Sequence, residues 1–86
     1  MFYVVAYDIK DTKRRNKISS ILQEYGFRVN YSVFELKIDS KSLKELLKRL
    51  LLEVSKKEDS IRFYNLTQKE INNSFEMCNN IDIFDF

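Results

Sequence analysis

The chain has 86 residues, 44% of them hydrophobic and 33% charged, a composition that folds into one small globular domain rather than staying disordered. It contains no histidine, no proline, one glycine and one cysteine. That excludes histidine triads and acid–base pairs, zinc held by histidine or a cysteine cluster, Gly-rich phosphate loops and internal disulfides.

The net charge of +2 says little alone about nucleic acid, but its distribution is uneven: Lys10, Lys13, Arg14, Arg15 and Lys17 crowd one stretch, while Asp82 and Asp85 lie in the tail. No apolar run approaches the roughly 18 residues that span a bilayer, and the start lacks the features of a signal peptide. The expectation is a cytoplasmic protein with no membrane association.

FYVVAY, residues 2–7, is β-branched and aromatic and predicts a buried strand that Asp8 ends. Asp11 or Thr12 then caps a helix whose Ile18, Ile21, Leu22 and Tyr25 form one apolar stripe. Gly26 follows where a helix end favours a residue tolerant of positive φ. Residues 27–38 are β-rich and split into a short strand (27–30) and a longer one (32–38), joined at Asn30-Tyr31 by a tight turn or bulge. Ser32, Phe34, Leu36 and Ile38 alternate there with Val33, Glu35 and Lys37, as in a half-buried strand.

Asp39 and Ser40 cap a second helix, whose core face is Leu43, Leu46, Leu47, Leu50, Leu51 and Val54. Ile61, Phe63 and Tyr64 make a fourth strand, and Thr67 with Glu70 matches a capping box that opens a short helix. Cys78 reads as a small hydrophobe. The closing IDIFDF, residues 81–86, has strand character.

Strand–helix–strand–strand–helix–strand builds an α+β, ferredoxin-like βαββαβ sheet with both helices on one face. The domain is expected over residues 1–66. Residues 67–86 form an extension: a short helix, then a strand pairing with a neighbouring subunit or partner. In this topology the first and third strands are antiparallel neighbours, so Asp8, the basic helix start and the Tyr31–Ser32 region converge on one edge. The other sheet face calls for a partner if it is as aromatic as Tyr3 and Tyr7 suggest. A chain this short buries only about 60% of its unfolded surface, which also favours pairing with a second copy.

The residues leave two readings of this edge open. Asp8 is either a metal ligand or a turn carboxylate, and the basic cluster is either a phosphate-binding surface or a solvated helix face. Cations at a helix start oppose the helix dipole, which favours a use such as phosphate. Arg14 shares the angular sector of Ile18 and Leu22 and should lean toward the sheet end rather than into water.

YVVAYDI, the KRRNK helix start and YGFRVNYSVFEL together resemble the CRISPR-associated Cas2 family over about residues 1–66. The resemblance implies a ferredoxin-like homodimer that works beside the Cas1 integrase in spacer acquisition. It implies an endonuclease acting on RNA or DNA, with Mg²⁺ bound at Asp8. The resemblance maps family basic positions onto Arg15, Lys17 and Arg28 and its aromatic position onto Phe34; with the other residues of this edge added, Asp8, Ser32 and Phe34 are expected to be catalytic, and Tyr7, Lys13, Arg14, Arg15, Lys17 and Arg28 to bind nucleic acid. Two positions depart from the family pattern: Asn30 stands where glutamine is common, and Lys17 where a second arginine often lies, giving a point charge in place of a fork.

One aspartate per chain is too little for Mg²⁺, so a two-fold axis would bring two together. Two other readings remain: a non-catalytic DNA scaffold for the integrase, and a toxin-type ribonuclease on the same fold. An RNA-recognition module fits less well, because its aromatic third-strand motif is replaced by Ser-Val-Phe-Glu.

Overall fold

The computed structural model describes residues 1–77. Its elements run β1 (Phe2–Asp8), α1 (Thr12–Gln23), β2 (Gly26–Asn30), β3 (Val33–Lys37), α2 (Ser40–Glu53), β4 (Ser60–Leu66) and α3 (Gln68–Asn72). The strands form one sheet in the order β2-β3-β1-β4, with every neighbouring pair antiparallel. This is the expected ferredoxin-like arrangement, and β1 and β3 are its central strands. Expectations for Cys78 and for the tail at 81–86 lie outside the described residues.

The period-two alternation of β1 divides its side chains between two environments. Val5 and Tyr7 are buried beneath the helices with Phe34, Leu36, Ile18, Leu22, Leu46 and Leu50. Tyr3 packs edge-on against Phe63 at the margin of the same core. Tyr3 and Tyr7 therefore do not make the open face aromatic, as their position on β1 had suggested. That face carries Phe2, Val4 and Ala6 of β1, paired with Leu66, Tyr64 and Arg62 of β4. At one end α3 adds Ile71 to a cavity of about 330 Å³, whose wall includes Phe2, Val4, Phe27 and Leu66.

Local signals set the helix boundaries. Asp11 accepts from Arg14 N at 2.9 Å and Asp39 from Ser42 N at 2.7 Å, each satisfying an otherwise free helix donor. Thr67 and Glu70 form the full capping box of α3. β2 and β3 join through Tyr31 and Ser32, and a register shift lies between Arg28 and Asn30, so the junction is both a tight turn and a bulge.

Two expectations need correction. Gly26 is the first residue of β2, and a Cβ there would collide with the Glu35 carbonyl oxygen and the Leu36 side chain. Close strand approach, rather than a left-handed helix end, is what demands glycine. The buried stripe of α2 is also narrower than predicted: Leu46 and Leu50 are buried, whereas Leu47 and Leu51 are exposed. They lie one position on from the two buried leucines, on the flank of the apolar arc.

Candidate metal and nucleic-acid site at the Asp8 edge

Asp8 is the last residue of β1, directly opposite Ser60 of β4. Alternation places it on the side of Ala6, away from the helices. It is exposed, and no hydrogen bond or ion pair among the described residues engages its carboxylate. The turn that follows is held firmly. Ile9 is buried, and Arg15 donates to the carbonyls of Ile9 at 3.0 Å and Lys10 at 3.4 Å and to Thr12 Oγ1 at 3.3 Å.

Arg14 does lean inward, as its helical sector predicts, but its target is a carboxylate. Its guanidinium grips Asp59 through Nε at 2.9 Å and Nη2 at 3.1 Å, and also reaches Glu58 at 3.0 Å. Asp59 accepts a further bond from Ser55 N at 2.9 Å, and its side chain is only 1% exposed. The Arg14 hydrogen bonds hold the Asp59 carboxyl below the usual carboxylate range, with help from the Ser55 amide and against the cost of burial. The guanidinium is raised in turn, first by its bond to Asp59. This fork-to-carboxylate clasp ties the start of α1 to the loop that delivers Ser60 opposite Asp8.

The aromatic residues assigned to the site lie beneath it. Tyr7 is 6% exposed and Phe34 is fully buried, their rings stacked with centroids 6.2 Å apart. Tyr7 fixes the β2–β3 turn instead, donating its hydroxyl to the Tyr31 carbonyl at 3.0 Å and its amide to the Ser32 carbonyl at 3.0 Å. Rings this buried support the edge from below and do not line it. Arg28 lies over Phe34, 5.5 Å from the ring centroid, and donates to Ser19 Oγ.

The structure thus brings Asp8, Ser32, Tyr7 and the start of α1 to one end of the sheet and engages three of the named arginines internally. Among the described residues, the cations left without a hydrogen bond or ion pair are lysines. Lys13 and Lys17 lie one turn apart on the outer face of α1, with Lys10 in the loop before it. Lys56 and Lys57, between α2 and β4, are likewise exposed and have no partner among the described residues at this end. They escaped the sequence reading, as did the Asp59 partner of Arg14. No local signal marks a contact across 45 residues.

Among the described residues no group of three or more acidic, cysteine or histidine side chains is placed to hold a metal. Asp8 offers the hard oxygen donor that Mg²⁺ prefers, but only one per chain.

A sequence model of the family described as CRISPR associated protein Cas2 matches residues 1–74. A Synechocystis protein named CRISPR-associated endoribonuclease Cas2 3 is 49% identical over 65 residues, covering 76% of this chain and 71% of that protein. The crystal structure of Streptococcus pyogenes Cas2 superposes with a TM-score of 0.81 at 29% identity, covering 91% of this chain and all of that one. A chain in a partial Cas6-RT-Cas1–Cas2 complex superposes with a TM-score of 0.70 at 31% identity, covering 88% and 89% of the two chains.

Proposed function

The chain belongs to the CRISPR-associated Cas2 family, and from that premise we propose that it is a homodimeric, Mg²⁺-dependent endonuclease of RNA or DNA that acts with a Cas1 integrase. The observation that carries this reading is the exposed, unengaged Asp8 carboxylate on a turn locked by Arg15. The names borne by relatives and the complex containing a similar chain point the same way.

The donor chemistry of Asp8 fits Mg²⁺, and its number fits only if two chains contribute one carboxylate each. Support for pairing comes from the open sheet face, where Phe2, Val4, Val33 and Leu66 are half-buried and Tyr64 is exposed. Apolar surface of this kind gains from a second sheet laid against it. When bound, the ion supplies charge neutralisation at the scissile phosphate and a more acidic water.

The chain's own residues do the rest. Asp8 holds its position because Ile9 and Arg15 immobilise the turn behind it. Lys13 and Lys17 draw in phosphates, and Ser32 lies within the same edge. With no histidine available, no side chain of the usual basicity stands ready as a general base.

Rigorously purified Asp8→Ala, assayed with and without Mg²⁺, tests this. The wild type should cleave only with Mg²⁺ and the variant not at all, with thermal stability within about 0.5 kcal/mol because Asp8 is exposed and unpaired. Equal residual cleavage by both proteins removes the catalytic role.

A scaffold-only reading is favoured by the single carboxylate per chain. In that case Asp8→Ala leaves spacer acquisition intact, whereas reversing Lys13 and Lys17 abolishes it.

A further inference from the structure

We infer that the ring of Tyr31 is a stacking platform for an unpaired nucleobase of the strand recruited to the Asp8 edge. The inference rests on the nuclease reading above and adds a residue that positions the strand.

Tyr31 differs from the other four tyrosines of the chain. Tyr3 packs on Phe63, Tyr7 on Phe34, Tyr25 lies under Arg49, and the Tyr64 hydroxyl meets Arg62. The Tyr31 ring has no such partner among the described residues and is 89% exposed.

Its backbone is nonetheless fixed on both sides. The Tyr31 amide donates to Asn30 Oδ1 at 2.8 Å, and its carbonyl accepts from the buried Tyr7 hydroxyl at 3.0 Å. A large apolar ring held out in water on an immobilised turn has already met part of the ordering cost of binding. The turn lies at the same sheet end as Asp8 and the unpaired Lys10 and Lys13.

Cations that hold phosphates beside an aromatic that takes a base are the two components of single-strand recognition. Within a duplex both faces of each base are already stacked, so this ring has access only where bases are splayed out.

The test measures binding of the full-length protein, without Mg²⁺, to a single-stranded oligonucleotide and to a blunt duplex of the same sequence. Tyr31→Ala should weaken single-strand binding by about 5- to 150-fold and leave duplex binding unchanged, and Tyr31→Phe should restore it. Because no charge is removed, the salt slope of single-strand binding should stay as in wild type, whereas Lys13→Ala should lower it by about 0.7. A 2-aminopurine placed in the strand should lose its protein-induced quenching in Tyr31→Ala alone.

Equal affinity of Tyr31→Ala and wild type for the single strand overturns the inference while leaving the nuclease reading standing. So does an equal loss on strand and duplex, or a change of oligomeric state on size exclusion. Failure of the wild type to bind either nucleic acid overturns both.

Discussion

Tyr7 and Asp8 are neighbours on β1, and strand alternation sends them to opposite sides: one ring into the core, one carboxylate to the surface. The pair Arg14 and Arg15 is divided in a similar way, since α1 turns one toward Asp59 and the other back over the preceding turn. Both arginines are thereby drawn into building the edge, and among the described residues the cations left for a ligand on α1 and the turn before it are Lys10, Lys13 and Lys17, with Lys56 and Lys57 beside them.

The clasp carries a pH prediction. Asp59 is depressed in the fold, so its stabilising effect is full above the ordinary aspartate range of about 3.9 and is lost as pH falls through the lower folded value. The groups facing it are Arg14, the Ser55 amide and Glu58 nearby. Asp59→Asn should lower the melting temperature at pH 7, and the gap to wild type should close below about pH 4. A gap of constant size down to pH 2 would show that the ion pair is not its source. Glu24 beside Arg49, Asp39 at the Ser42 amide and Glu70 at the Thr67 amide are depressed as well, so the whole chain should lose stability in acid.

At the scale of elements, the single glycine marks a point where a side chain would collide with the neighbouring strand. Gly26 opens β2 against Glu35 and Leu36 of β3, and the Glu35 carbonyl it meets is backbone that cannot swing aside. Gly26→Ala should therefore cost about 1–3 kcal/mol, as overpacking does, measured by denaturant unfolding. A neutral result would mean that β2 shifts freely at its start. The bulge between Arg28 and Asn30 lies at the other end of the same strand. There the Asn30 side chain and the Tyr7 hydroxyl set the turn that presents Tyr31.

For the whole molecule, the sheet has helices over one face and a largely apolar second face with α3 at its margin. Asp8 lies on the same side as that second face, so a face-to-face pair of chains gives two carboxylates the opportunity to share an ion. Val4→Asp, at the centre of the face and opposite Tyr64, should convert a dimer to a folded monomer. Sedimentation should report the halved mass, circular dichroism an unchanged fold, and the cleavage assay a loss of Mg²⁺-dependent activity. A wild-type monomer that cleaves at full rate would rule out the shared site.

Much of this was legible in the residues alone. Caps at Asp11, Asp39 and Thr67, the apolar stripe of α1 and the alternation from Val33 to Ile38 are local patterns. Each acts within a few residues through backbone hydrogen bonding and side-chain periodicity, and together they determined the element order and the ferredoxin-like sheet. The motif spread over residues 1–66 was enough to suggest the Cas2 family.

Tertiary structure alone decided which charges remain free. Arg14 finds Asp59 and Glu58 only once α1 packs beside the α2–β4 loop, and Leu47 and Leu51 stay exposed because the core is completed by Leu46 and Leu50 on the adjoining strip of the helix. Partner choice for a long cationic side chain depends on distances between segments far apart in the chain, and no local pattern encodes those distances.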